Sequence, residues 1–165
     1  MSDRSRDSAD IIDVHAHVYP QGCVRDIIGS RTEFGLIDSR RGGMQLTYRG
    51  SFVMSIPPAQ DDLGARLAKM DEAGIAIQVL SIGALNIGWA GERAVSAARS
   101  INNALAEVCG QARNRLRFVA TLPFESRAEM VKELERALSL GAVGVGITTT
   151  VGDSSLDSPK LTDFW

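Results

Sequence analysis

His15 and His17 are the only histidines in the 165-residue chain, and they stand two apart in the run Ile11-Ile12-Asp13-Val14-His15-Ala16-His17. Two histidines scattered at random over a chain of this length would fall at that spacing about 1% of the time. A β-strand sends alternate side chains to opposite faces. The spacing therefore predicts a polar face of Asp13, His15 and His17, and an apolar face of Ile12, Val14 and Ala16 that packs under helices. Two imidazoles so placed can share one divalent cation, with Zn–N distances near ~2.0–2.1 Å. Asp13 would then orient an imidazole through its second nitrogen, or accept other hydrogen bonds behind the ligands. Histidines that are solvated, or satisfied within a core, fit the same spacing, and the residues alone leave that alternative open.

Other positions carry less chemistry. Gly141, Gly144 and Gly146 run in the order GxxGxG, and they leave a helix for a strand. A phosphate loop needs the reverse, a strand turning into a helix N-terminus, so these glycines read as a helix cap and close backbone packing. Met44, Met54 and Met70 form no cofactor box, and Met70 reads as core. Cys23 and Cys109 lie far apart with no CxxC pattern, which suits reduced thiols in a cytoplasm and makes Cys109 a small packing residue on a helix.

The elements that must position the histidines alternate along the chain. After the strand at Ile11 to His15, residues 21–50 are rich in Gly, Arg and Ser and read as loop, with a short strand at Ser51 to Ser55. Leu63, Leu67 and Met70 recur on one stripe of a helix over about Asp61 to Ala73, closed by Gly74. Ile75 to Ile82 is an apolar run of strand length. A second helix spans about Glu92 to Ala112, with Val95, Ala98, Ile101, Leu105 and Val108 on one face. Phe118 to Leu122 is the next strand. Ser126 and Glu129 read as a capping box opening a helix that presents Met130, Leu134, Ala137 and Leu138 and ends at Gly141. Ala142 to Thr148 is a further buried strand, and Ser158-Pro159 reads as the start of one more helix.

Four apolar strands separated by amphipathic helices predict an α/β fold with a parallel sheet covered by helices. Periodicity does not choose between an open sheet and a barrel. The last helix signal delivers Leu161, Phe164 and Trp165 and stops, and the chain has about two-thirds or less of the usual length of an eight-stranded barrel. We therefore expect a truncated domain over residues 11–165, preceded by a disordered polar lead-in at residues 1–10.

Composition narrows the function classes. With 44% hydrophobic and 23% charged residues the chain is ordinary for a soluble domain. A net charge of −2 supplies no basic excess to displace counterions, so nucleic acid is not an expected partner. The first residues lack the apolar stretch of a secretory signal. The uncharged stretch from Gly74 to Gly91 is interrupted by glycines and polar residues, so no membrane span is expected.

The ordered segments "IIDVHAHVYP", "RLAKMDEAGIAIQVLS", "RFVATLPFES", "ELERALSLGAVGVGI" and "LDSPKLTDFW" resemble the amidohydrolase-related family. They resemble in particular its 2-amino-3-carboxymuconate-6-semialdehyde decarboxylase-like branch of nonoxidative decarboxylases. The similarity covers nearly all of the chain from Ile11 onward. It implies the N-terminal half of a metal-dependent TIM-type (β/α)8 barrel with a catalytic Zn2+, or another divalent metal, at the C-terminal ends of the strands. His15 and His17 match the first two ligands. The remaining ligands and a proton-transfer histidine would fall beyond Trp165, and Glu125 and Asp153 do not match them. Arg49 resembles an arginine that grips a substrate carboxylate, a role that suits a planar, permanently charged fork.

The expected activity is a cytoplasmic, metal-dependent carboxy-lyase acting on a small unsaturated or aromatic carboxylic acid; the resemblance also suggests a homodimer. A hydrolase of a lactone, amide or related bond, built on the same metal, is the alternative. A third reading takes these 165 residues as catalytically silent, acting only as an assembly or interaction module.

Overall fold

In the computed structural model the described residues are 11–29, 33–40, 42–58, 62–83, 85, 91–112, 114–124, 126–151, 154–159 and 162. The expected lead-in at residues 1–10 lies outside them. So do Glu125 and Asp153, and most of the helix expected after Ser158-Pro159.

Four strands form one parallel sheet: β1 (Ile11–His17), β5 (Ile75–Ser81), β6 (Leu116–Ala120) and β7 (Ala142–Val145), in the spatial order β1-β5-β6-β7. These are the four strands read from the apolar runs, and they lie side by side in chain order. Helices α2 (Leu63–Ala73), α3 (Ala94–Gly110) and α4 (Arg127–Ser139) make the crossovers. Parallel neighbours require such long returns. Leu80, Leu116, Phe118 and Ala120 leave the sheet on the helix side and meet Ala98, Ile101 and Leu105 of α3 in the core. Met70 is buried with them, as expected. Gly74 ends α2 in the left-handed region, with φ 69°, which glycine adopts without steric cost.

The segment read as a loop is more ordered than expected. It contains α1 (Gln21–Ile28), β2 (Phe34–Asp38) and β3 (Met44–Tyr48), and β3 pairs with β4 (Ser51–Ile56) to complete an antiparallel three-stranded sheet. The apolar signal was short rather than missing. Val24 and Ile28 make one buried stripe on a two-turn helix, and Met44 and Leu46 alternate into the core. A short β8–β9 hairpin (Thr150–Val151, Ser154–Ser155) follows the last parallel strand.

The capping box is not made. Ser126 stands at the helix N-cap, but its side chain accepts no capping bond. Glu129 turns instead to Lys132 Nζ at 2.6 Å and to Arg99 of α3. The helix-cap reading holds for Gly141, which adopts φ 96°. Close packing does not require glycine at Gly144 or Gly146, where a Cβ would stand in ordinary contact 3.4–3.5 Å from the Val119 side chain. Both cysteines are free thiols, and burial pushes Cys109 up to about 11, as suits a packing residue. Among the described residues, no helix is long and apolar enough to cross a membrane.

Candidate metal centre

Among the described residues β1 pairs with β5, and that ladder is broken. Asp13 pairs with Gln78, Ala16 with Leu80 and His17 with Ser81, so Val14 and His15 together face Val79 alone. One extra residue on a strand is a β-bulge, and it resets the alternation of faces. The expectation of one polar face is corrected accordingly. Asp13 shares the helix side with Gln78, whereas His17 shares the opposite side with Ser81.

The same bulge overturns the expected apolar face. Val14 does not pack under helices; it lines the cavity beside His15 and is 74% exposed, and Ile12 is 53% exposed. Of the three apolar residues only Ala16 packs against the core.

The side of the sheet away from the helices forms a cavity of about 510 Å3. Its polar lining comes from the C-terminal ends of the strands: His15 and His17 from β1, Ser81 from β5, Thr121 just after β6, and Thr148 after β7. Val79, Val119, Leu122 and Phe124 supply apolar walls. A parallel sheet leaves such a crevice beyond its carboxyl ends, and function concentrates there.

The two imidazoles meet in this cavity with ring centroids 4.8 Å apart, edge to face. His17 Nδ1 lies 2.8 Å from Ser81 Oγ, and that hydroxyl is directed at the Ala16 carbonyl at 3.5 Å. In the tautomer that carries its proton on Nδ1, the Ser81 oxygen accepts from that N–H and the lone pair stands on Nε2. Burial, and then the neighbouring His15, lowers the His17 pKa and favours the neutral ring that binds metal.

The chemistry of these two imidazole donors fits a divalent cation. Among the described residues no group of three or more His, Cys, Asp or Glu is placed to hold a metal ion.

Asp13 touches no imidazole. Its Oδ1 accepts the His15 backbone N–H at 3.1 Å and its Oδ2 accepts from Gln78 Nε2 at 2.8 Å. The Gln78 bond, followed by the His15 N–H, holds the carboxyl below its ordinary value. Arg49 is not among the residues that line the cavity. It sits in the β3–β4 turn with φ 48°, its guanidinium 5.2 Å from the Tyr48 ring and 3.8 Å from Glu33.

Sequence reading missed Ser81, Gln78 and Arg66. The first two are the polar residues that interrupt the apolar run Ile75 to Ile82, a signal that was present. Nothing in the pattern singles out Arg66 from other helix arginines.

Comparison with known proteins gives a match to the family described as Amidohydrolase over residues 12–165. Gamma-resorcylate decarboxylase of Rhodococcus jostii (strain RHA1) is 34% identical over 112 residues, 61% of this chain and 34% of that protein. Among solved structures, the apo form of Metarhizium anisopliae IDCase superposes with a TM-score of 0.77 at 21% identity, over 93% of this chain and 46% of that one. The 5-carboxyvanillate decarboxylase of Novosphingobium aromaticivorans, solved with manganese and 4-hydroxy-3-methoxy-5-nitrobenzoic acid, gives 0.62 at 18% identity, over 93% and 46%. The chain thus spans about a third of its curated relative and under half of these structures, and its fold is that of part of a TIM-type barrel.

Proposed function

The chain belongs to the amidohydrolase family, and from that premise we propose that the whole protein is a metal-dependent nonoxidative decarboxylase of a small unsaturated or aromatic carboxylic acid. The observation that carries the reading is the approach of His15 and His17 to 4.8 Å inside a cavity at the C-terminal ends of parallel strands. The names of the decarboxylase relatives support it, and hydroxybenzoic acids are the first substrates to try.

His15 and His17 would hold the cation, and Ser81 would keep the His17 ring in the required tautomer. A bound divalent cation would act as a Lewis acid toward oxygens of the substrate. Val79, Val119 and Phe124 offer an apolar wall to an unsaturated ring and exclude water beside it. Decarboxylation requires a proton to reach the ring carbon as its bond to the carboxylate breaks and carbon dioxide leaves. We assign that proton transfer to no residue of this chain.

Imidazole donors suit zinc, the metal expected from the sequence, while the Novosphingobium relative was solved with manganese; metal analysis of the purified protein decides between them. Arg49 is kept as a carboxylate grip only for a conformation in which its turn reaches the cavity. A cytoplasmic homodimer remains part of the proposal, checked by light scattering and cell fractionation. Because no third ligand stands near the two imidazoles among the described residues, residues 1–165 alone are expected to be catalytically silent.

The test is to incubate the full-length protein with hydroxybenzoic acids and measure released carbon dioxide. Hydrolysis of a lactone or amide without carbon dioxide from any acid would replace the lyase with the hydrolase reading.

A further inference from the structure

β1 carries both candidate ligands; among the described residues it pairs with β5, and that ladder is interrupted at Val14 and His15, just before the paired His17. A bulge takes backbone groups out of the ladder, and nothing in a bulge itself fixes how far apart the flanking side chains sit. Behind the sheet, two side chains bond this backbone, and a third links them to each other. Asp13 Oδ1 accepts the His15 N–H at 3.1 Å. Gln78 of β5 donates from Nε2 to Asp13 Oδ2 at 2.8 Å. Arg66 of α2 donates from Nη1 to Gln78 Oε1 at 2.6 Å and from Nη2 to the His17 carbonyl at 2.8 Å.

The chain of bonds runs from α2 to β5 to β1, and it ends on the backbone of both histidines. None of it touches an imidazole, and it lies on the face of the sheet opposite the cavity. We propose that Arg66, Gln78 and Asp13 form a strap behind the sheet that holds the β1 bulge and so sets the spacing of the His15 and His17 rings for a divalent cation. These are positioning residues, and the inference rests on the metal reading above. Arg66 suits the task because its rigid fork serves two acceptors at once, which a single ammonium cannot match in geometry. Removing it would leave the Gln78 amide oxygen and the His17 carbonyl short of a donor.

The experiment is titration of the full-length protein with Mn2+ and with Zn2+ by calorimetry, for the parent and for Arg66→Met, Gln78→Leu, Arg66→Lys and His15→Ala. Groups behind metal ligands alter affinity by about 10–100-fold when removed. That range is expected for Arg66→Met and Gln78→Leu in protein that still melts cooperatively, with partial recovery in Arg66→Lys and loss of binding in His15→Ala. The Co2+ absorption bands should also shift in Arg66→Met, because the ring geometry changes. A variant with a lower melting temperature but the parent's affinity and bands would assign the strap to stability alone and overturn the proposal. Unchanged binding in His15→Ala would overturn the metal reading and the strap together. Should Arg66→Met not fold, Gln78→Leu carries the same expectations.

Discussion

Asp13 and His17 lie on opposite faces of one strand: the Asp13 carboxylate accepts from Gln78 on the helix side, while the His17 ring meets Ser81 within the cavity. The bulge at Val14 and His15 separates them. Side chains on a strand have a period of two, so one inserted residue exchanges the faces of everything beyond it. It is this exchange that keeps the acidic group behind the sheet as a backbone anchor, and brings both imidazoles to the front.

Ser81 Oγ lies 2.8 Å from His17 Nδ1, and in the proposed metal site it would keep Nε2 for the cation. Ser81→Ala is expected to weaken Mn2+ or Zn2+ binding by about 10-fold with little change in melting temperature. Calorimetric titration of the full-length protein checks this, and equal affinity in parent and variant would remove Ser81 from the site.

Gly83 adopts φ 64°, and a Cβ there would stand 3.0 Å from His17 Cγ and closer still to Tyr19 Oη. Gly83→Ala should cost about 2–3 kcal/mol, combining the left-handed backbone penalty with overpacking. Tyr19→Phe in the same chain removes the nearest obstructing atom. Denaturant melts of the two single variants and the double variant should show positive coupling, and strict additivity would mean that the cost is all in the backbone.

Glu133 on α4 has a side chain 0% exposed. Asn102 Nδ2 donates to it at 2.7 Å, Arg136 donates through Nε and Nη2 at 2.8 and 2.7 Å, and Asn102 also exchanges two bonds with the Thr121 backbone beside the cavity. Burial raises its pKa, but the hydrogen bonds from Arg136 and Asn102 and the charges of Arg136 and Arg99 outweigh burial, and the net shift is downward. A carboxyl depressed by folding adds stability that is complete above its unfolded pKa and disappears as pH falls through its folded pKa. Glu133→Gln should therefore lose about 2–4 kcal/mol at neutral pH, with the gap to the parent narrowing in acid. Urea melts at pH 7 and near pH 3 test the sign; a gap that widened in acid would contradict it.

Arg49 and Gly50 form the two-residue β3–β4 turn with φ 48° and 80°. Both angles are positive, as a type I′ turn requires, and Asn is favoured over Arg at its first position. Arg49→Asn gives up only an exposed 3.8 Å ion pair and a ring contact at 5.2 Å, so it should raise stability by about 0.5 kcal/mol. Thermal melts that show a loss instead would mean the guanidinium contacts outweigh the backbone preference.

Much of the fold was legible. Ile75 to Ile82 and Phe118 to Leu122 read as strands because both faces are apolar, although in the structure only the helix side is buried, at Leu80, Phe118 and Ala120, while Val79 and Val119 line the cavity. Leu63, Leu67 and Met70 read as helix because one stripe alone meets the core. The segment from residue 21 to residue 50 did not. Its helix buries three residues, β3 two and β2 none, too few for a period to stand out against the intervening Gly and Arg. Ser126-x-x-Glu129 misled for another reason: a capping box is a local pattern, and Arg99 and Lys132 competed for its glutamate.

The amino-acid order by itself determined that four strands alternate with helices, and that two imidazoles stand close together on the first of those strands. Only the tertiary structure decided which faces Asp13, Val14 and His15 occupy, and that Arg66, Gln78 and Ser81 attend the histidines. The bulge arises from pairing with β5, and each attending residue is distant from β1 along the chain. Contacts of that kind are created when the sheet assembles, so no local spacing encodes them.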